Sequence, residues 1–110
     1  MDLRFHLKKG DRQPPLQMII YNPDGTRKDL SSGITGMIFR MGKPGVAVKI
    51  AAGVITAVNL AQGVVEHRWA STTTDEVGEF RGELVITYTD ATTETFPKES
   101  FLVVEIHDEV

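Results

Sequence analysis

Ile34-Thr35-Gly36-Met37-Ile38-Phe39-Arg40-Met41, ITGMIFRM, is the stretch on which the fold turns. Its side chains alternate, and both alternating sets are largely apolar. Ile34, Gly36 and Ile38 share one face; Met37, Phe39 and Met41 share the other. A period of two marks a strand. Apolar residues on both sides predict a central strand covered on two faces, or one lying beside an interface. Met37, Phe39 and Met41 are the candidate interface residues, since methionine suits an adaptable contact surface. The competing reading is burial in the core beneath a long loop.

Just upstream lies NPDGTRKDLSSG, Asn22 to Gly33. Pro23, Asp24 and Gly25 carry strong turn chemistry. Asp29 and Ser31 are placed to satisfy loop amides while Leu30 dips back to the core. The acidic spacing does not match a calcium-binding EF-hand loop, so the segment reads as a connector.

The same period recurs along the chain. Leu3, Phe5 and Leu7 alternate with Arg4, His6 and Lys8. Leu16, Met18 and Ile20 alternate with Gln17, Ile19 and Tyr21. Further runs are Val46 to Ala51, a short one near Ile55 and Ala57, and Val65, His67 and Trp69 on one face. The last two are Leu84, Ile86 and Tyr88, then Leu102, Val104 and Ile106. Residues 56–62, TAVNLAQ, suit a single helical turn. Seven or eight short strands separated by turn signals predict an all-β sandwich or barrel. Trp69 is expected between the two sheets, which pack about 10 Å apart. Its rival role is a sugar-binding platform.

The 110 residues make one domain, 1–110, with 41% apolar residues. Twelve basic and fifteen acidic residues give a net charge of -3, which argues against nucleic-acid binding. No cysteine is present, which removes disulfides, thiolate zinc sites and a cysteine nucleophile. The start, MDLRFHLKKG, is not a signal peptide, and no run is long and apolar enough to span a bilayer. His6, His67 and His107 fall on different strands, with no spacing that gathers them into a metal site. No nucleophile elbow, phosphate loop or zinc-protease motif occurs. No catalytic, cofactor or metal residues are therefore expected.

Six landmarks stand in order: FHLKKGD from Phe5 to Asp11, the NPDG turn, and DLSSGIT from Asp29 to Thr35. Then come Gly63-Val64-Val65 with Trp69, DEVGEF from Asp75 to Phe80, and Thr95-Phe96-Pro97 before a final VVEI strand. This order resembles the immunoglobulin-like N-terminal domain of phage baseplate upper proteins and related small phage tail proteins, over nearly the whole chain. The resemblance implies an immunoglobulin-like antiparallel β-sandwich of seven to eight strands with no catalytic residues. It implies a non-enzymatic docking or adaptor module of the tail or baseplate, made in the host cytoplasm and carried in the virion. Its partners would be other virion proteins or further copies of itself, with no nucleic acid, membrane or cofactor. Two departures stand out. Phe80 replaces the corner tyrosine often found there. The family continues beyond this domain, so the chain reads as an excised domain or a stand-alone adaptor. The alternative is a carbohydrate-binding or cell-surface immunoglobulin-like module with Trp69 or Tyr88 exposed. An enzyme ranks last.

Overall fold

In the computed structural model, residues 3–46, 48–98 and 100–108 are described. They form eight strands and one short 3₁₀ turn, Leu60–Gln62. The strands are β1 (Leu3–Lys8), β2 (Leu16–Ile19), β3 (Ile34–Gly42), β4 (Val48–Asn59), β5 (Val64–His67), β6 (Gly78–Tyr88), β7 (Thr93–Phe96) and β8 (Leu102–His107). The expected all-β fold is what the chain adopts. Among the described residues, no helix is long and apolar enough to cross a membrane.

Strand β3 is central, with β4 on one side and β6 on the other. Its register sets Met37 opposite Ile86 and Phe39 opposite Leu84. These pairs face inward, where Phe39 and Ile86 are fully buried and Leu84 and Met41 are 1% exposed. Such cross-strand apolar pairs are the unit of sheet stabilisation. The other face is only half covered: Ile38 is half-buried, Gly36 exposed, and Arg40 pairs with Glu83 across the strands. Ile34 does not follow the simple alternation. A register shift between Ile34 and Gly36 turns it to the inner side, where, like Met37 and Tyr88, it packs against the buried group that holds Leu84 and Ile86. One extra residue reverses strand parity, which is what a bulge does.

The strands form one continuous path, β1-β8-β6-β3-β4-β5-β2, with β7 beside β6. The path curls through β4. Its first part, to Val54, pairs with β3; from Ile55 onward it pairs with β5. The sequence reads as two runs broken at Gly53, but the chain forms a single strand bent there. A Cβ on Gly53 would stand 2.7 Å from the His67 ring, so glycine is what lets that ring pack at the bend. The expected turn over residues 56–62 divides: 56–59 finish β4, and only Leu60–Gln62 coil.

Two further features depart from expectation. Thr93–Phe96 is a strand, β7, paired with the Leu84–Thr87 part of β6. And the sandwich is not wholly antiparallel, because β1 runs parallel to β8, Leu3 beside Leu102 through Lys8 beside His107. The first and last strands lie side by side in the same direction, with the rest of the domain as their crossover.

Two apolar clusters fill the interior. One gathers Leu7, Leu16, Phe39, Trp69, Phe80 and Val104; the other gathers Ile20, Leu30, Val65, Leu84 and Ile86. Met18 and Ile55 pack against both. The Asn22–Gly33 segment is a connector. The Asp24 and Asp29 carboxylates accept backbone N–H bonds of 2.9 Å from Thr26 and Ser31, and Leu30 is 3% exposed. Hydroxyl and amide bonds from those same residues hold both carboxyls below their ordinary pKa.

Candidate functional site

Because the sheet curls without closing, its terminal strands face each other. Among the described residues β1 pairs only with β8, and β2 only with β5. Between their outer edges lies a cleft of about 720 Å³. Leu3 and Phe5 line it from β1, Met18 and Ile19 from β2, and Phe96 from β7. Leu3 is 58% exposed, Ile19 38% and Tyr21 49%. Tyr21 is bridged to Arg27, but Leu3 and Ile19 stand beside edges that are unpaired among the described residues; natural edges are normally blunted or covered.

The rim is charged. Glu94 accepts the Tyr88 hydroxyl and pairs with Lys98 at 2.9 Å and Lys28 at 3.9 Å. Burial first, then the Glu94 carboxylate, pushes the Tyr88 phenol up to about 12. The same hydrogen bond is the main reason the Glu94 carboxyl lies below its ordinary range.

The candidate interface of Met37, Phe39 and Met41 is not at the surface. Phe39 is fully buried, Met41 is 1% exposed and Met37 is partly buried against the second cluster. The cover comes from within the chain. Phe39 lies 4.6 Å from the His67 ring and meets Trp69 edge-on at 5.9 Å, centroid to centroid. The alternative reading, core burial, is the one the packing supports. Trp69 follows the same logic at 3% exposure, so it has no face to offer a sugar.

His67 is a buried strand histidine, 5% exposed. Its Nδ1–H donates to the Val54 carbonyl at 3.1 Å, and its Nε2 has no hydrogen-bond partner among the described residues. Burial depresses its pKa, with the Val54 bond opposing in part. The folded chain therefore resists protonation at His67 while the unfolded chain does not. Stability from this group is complete above about pH 6.5 and is lost as pH falls below it. We expect the His67 ring resonances in a proton NMR titration to show a midpoint below pH 6.5. Titration at an ordinary histidine midpoint would mean the ring is solvated.

The remaining two histidines do meet. The parallel β1–β8 register sets His6 beside Glu105 and Lys8 beside His107. His6 Nδ1 lies 3.1 Å from His107 Nε2 and 3.1 Å from Glu105 Oε2. One half of this group is visible in the sequence, since Glu105-Ile106-His107 puts Glu105 and His107 on one strand face. The other half depends on a pairing between the two ends of the chain, which no local pattern announces.

No protein-family model matches this sequence, and no curated protein is similar to it.

Proposed function

We propose that this chain is a non-enzymatic docking module of a phage or prophage virion, part of the tail or baseplate, built on an immunoglobulin-like frame. The ordered landmarks from Phe5 to the last strand support the virion assignment. One structural observation carries the docking role: the open seam, where the outer edges of β1 and β2, unpaired among the described residues, flank an apolar cleft. Its occupant is an extended segment of a neighbouring tail or baseplate protein. Such a segment adds main-chain hydrogen bonds to a free edge and sets alternate apolar side chains into the cleft. Leu3, Ile19 and Tyr21 supply the exposed apolar contacts, and Arg4, Lys28, Glu94 and Lys98 the charged rim. The protein is made in the host cytoplasm and ends in the virion.

The test is mass photometry and titration at micromolar concentration, alone and with each tail or baseplate protein encoded beside its gene. One of these should form a defined complex. Ile19→Lys should weaken that complex by about tenfold or more, because a lysine on an edge strand opposes strand addition. Its unfolding temperature should fall by only a few degrees, since the side chain is already more than a third exposed. A strict monomer that binds none of these proteins contradicts the proposal.

A further inference from the structure

His6, Glu105 and His107 stand together on the outer face of the sheet. Their neighbours along the strands, Leu7, Val104 and Ile106, point inward and are 3%, 0% and 2% exposed. The triad thus rests on strands fixed from beneath by the core. The backbone is held as well: the Lys9 N–H donates to the His107 carbonyl at 2.7 Å. The three donor atoms lie within 4.8 Å of one another. Two imidazoles and a carboxylate are a ligand set used for divalent transition ions.

We propose that His6, Glu105 and His107 form a binding site for a divalent transition ion of the zinc class. The spacing is the first argument. Ligand bonds of about 2.0–2.2 Å in a tetrahedron hold neighbouring donors roughly 3.3–3.5 Å apart. The two separations of 3.1 Å from His6 Nδ1 fall within a few tenths of an ångström of that. The rings of His6 and His107 are nearly parallel, with centroids 5.3 Å apart, so binding requires the two exposed side chains to rotate until their in-plane lone pairs meet at a shared centre.

Hydrogen-bond accounting is the second argument. His6 Nδ1 is one atom facing two partners. If it carries a proton, it serves both only as a divided bond. If it does not, it can accept from His107, but its lone pair then faces the carboxylate oxygen. A cation between the three groups satisfies every lone pair at once.

The surroundings fit the same role. Arg4 Nη1 lies 3.2 Å from Glu105 Oε1 and 3.9 Å from Glu79 Oε1. It holds the carboxylate oxygen that does not face His6, as an outer partner orients a metal ligand. Arg4 and Lys8 bring positive charge to this face and Glu79 and Glu105 negative, so the local field gives no general attraction for cations. Selectivity therefore comes from the imidazoles, which suit zinc, copper and nickel; calcium and magnesium prefer oxygen ligands. Three protein ligands leave a fourth position, on the solvent side of two exposed histidines, for water or an incoming group. The ion would pin β1 to β8 and so fasten the strand that borders the seam.

Chelator-treated, metal-free protein titrated with zinc chloride by calorimetry tests this directly. One zinc ion per chain is expected, with calcium and magnesium failing to compete. Zinc at a hundred times its dissociation constant should raise the unfolding temperature by on the order of 10 °C. His6→Ala and His107→Ala should each weaken binding by about tenfold or more, and Glu105→Gln should weaken it too. His6 and His107 are exposed and Glu105 is partly buried on the same outer face, so circular dichroism should show each variant folded. No zinc binding, or binding unchanged in the His6→Ala/His107→Ala double variant, overturns the proposal.

Discussion

Trp69→Ala is expected to lower the stability of the domain by about 3–5 kcal/mol, among the largest losses a single core truncation brings. The indole is 3% exposed and belongs to the apolar cluster that also holds Leu7 of β1, Leu16 of β2 and Phe39 of β3. Its ring centroid lies 6.0 Å from Phe5, 5.9 Å from Phe39 and 4.9 Å from His67, the last two contacts edge-on. Removing it takes support from β1, β3 and β5 together. The unfolding temperature should fall by roughly 12–20 °C, at about 4 °C per kcal/mol for a domain of this size. Trp69→Phe should cost much less. The indole N–H is buried without a partner among the described residues, so its loss removes a desolvation cost while most of the ring area stays. Urea denaturation of the three proteins, with Trp69 emission in the parent, provides the check. A loss below about 1 kcal/mol for the alanine variant, or emission at solvent-exposed wavelengths, would place the ring on the surface.

Gly63→Ala should cost about 2–5 kcal/mol, although it adds a single methyl group. Gly63 is buried at φ +71°, where side chains are strained by roughly 1–2 kcal/mol. Its missing Cβ would also sit 2.6 Å from the Lys28 carbonyl and 2.7 Å from the Ile20 carbonyl. Both are main-chain atoms in a hydrogen-bonded junction. The Ile20 N–H donates to Gly63, and the Lys28 N–H donates to Ile20, each at 2.9 Å. The added carbon must push the end of β2 away from the start of β5. Gly25→Ala is the control, with φ +89° but open space around it, so it carries the strain alone. Urea midpoints for the two variants should differ by the cost of the clash. Equal losses would show that Gly63 is not wedged between those carbonyls.

Much of the fold was legible because alternation reports which side of a strand is covered. Leu16 and Ile20 are buried while Ile19 and Tyr21 are exposed, as their spacing implies. Val65, His67 and Trp69 share a buried face for the same reason. The departures arise where local pattern and long-range pairing part company. Met37, Phe39 and Met41 look the same whether the chain itself or a partner covers them; only tertiary packing distinguishes the two. The TETF segment of β7 is too short and polar to announce a strand, and it forms because β6 offers it an edge. Gly53 reads as a break but works as a bend within β4. The seam and the His6–Glu105–His107 group both follow from how the sheet curls and from the parallel pairing of its first and last strands. That pairing joins residues about a hundred positions apart, beyond the reach of any periodicity.

Hydrogen exchange resolved by residue, on the free chain and with the tail or baseplate protein proposed to dock there, tests the open seam most directly. In the free chain, β3 and β6 amides should exchange only through global unfolding, while seam-facing amides of Leu3–Lys8 and Leu16–Ile19 exchange orders of magnitude faster. Partner binding should slow those seam amides selectively. Seam amides as protected in the free chain as those of β3, or exchange there that the bound partner leaves unchanged, would contradict a sheet held open to receive a strand.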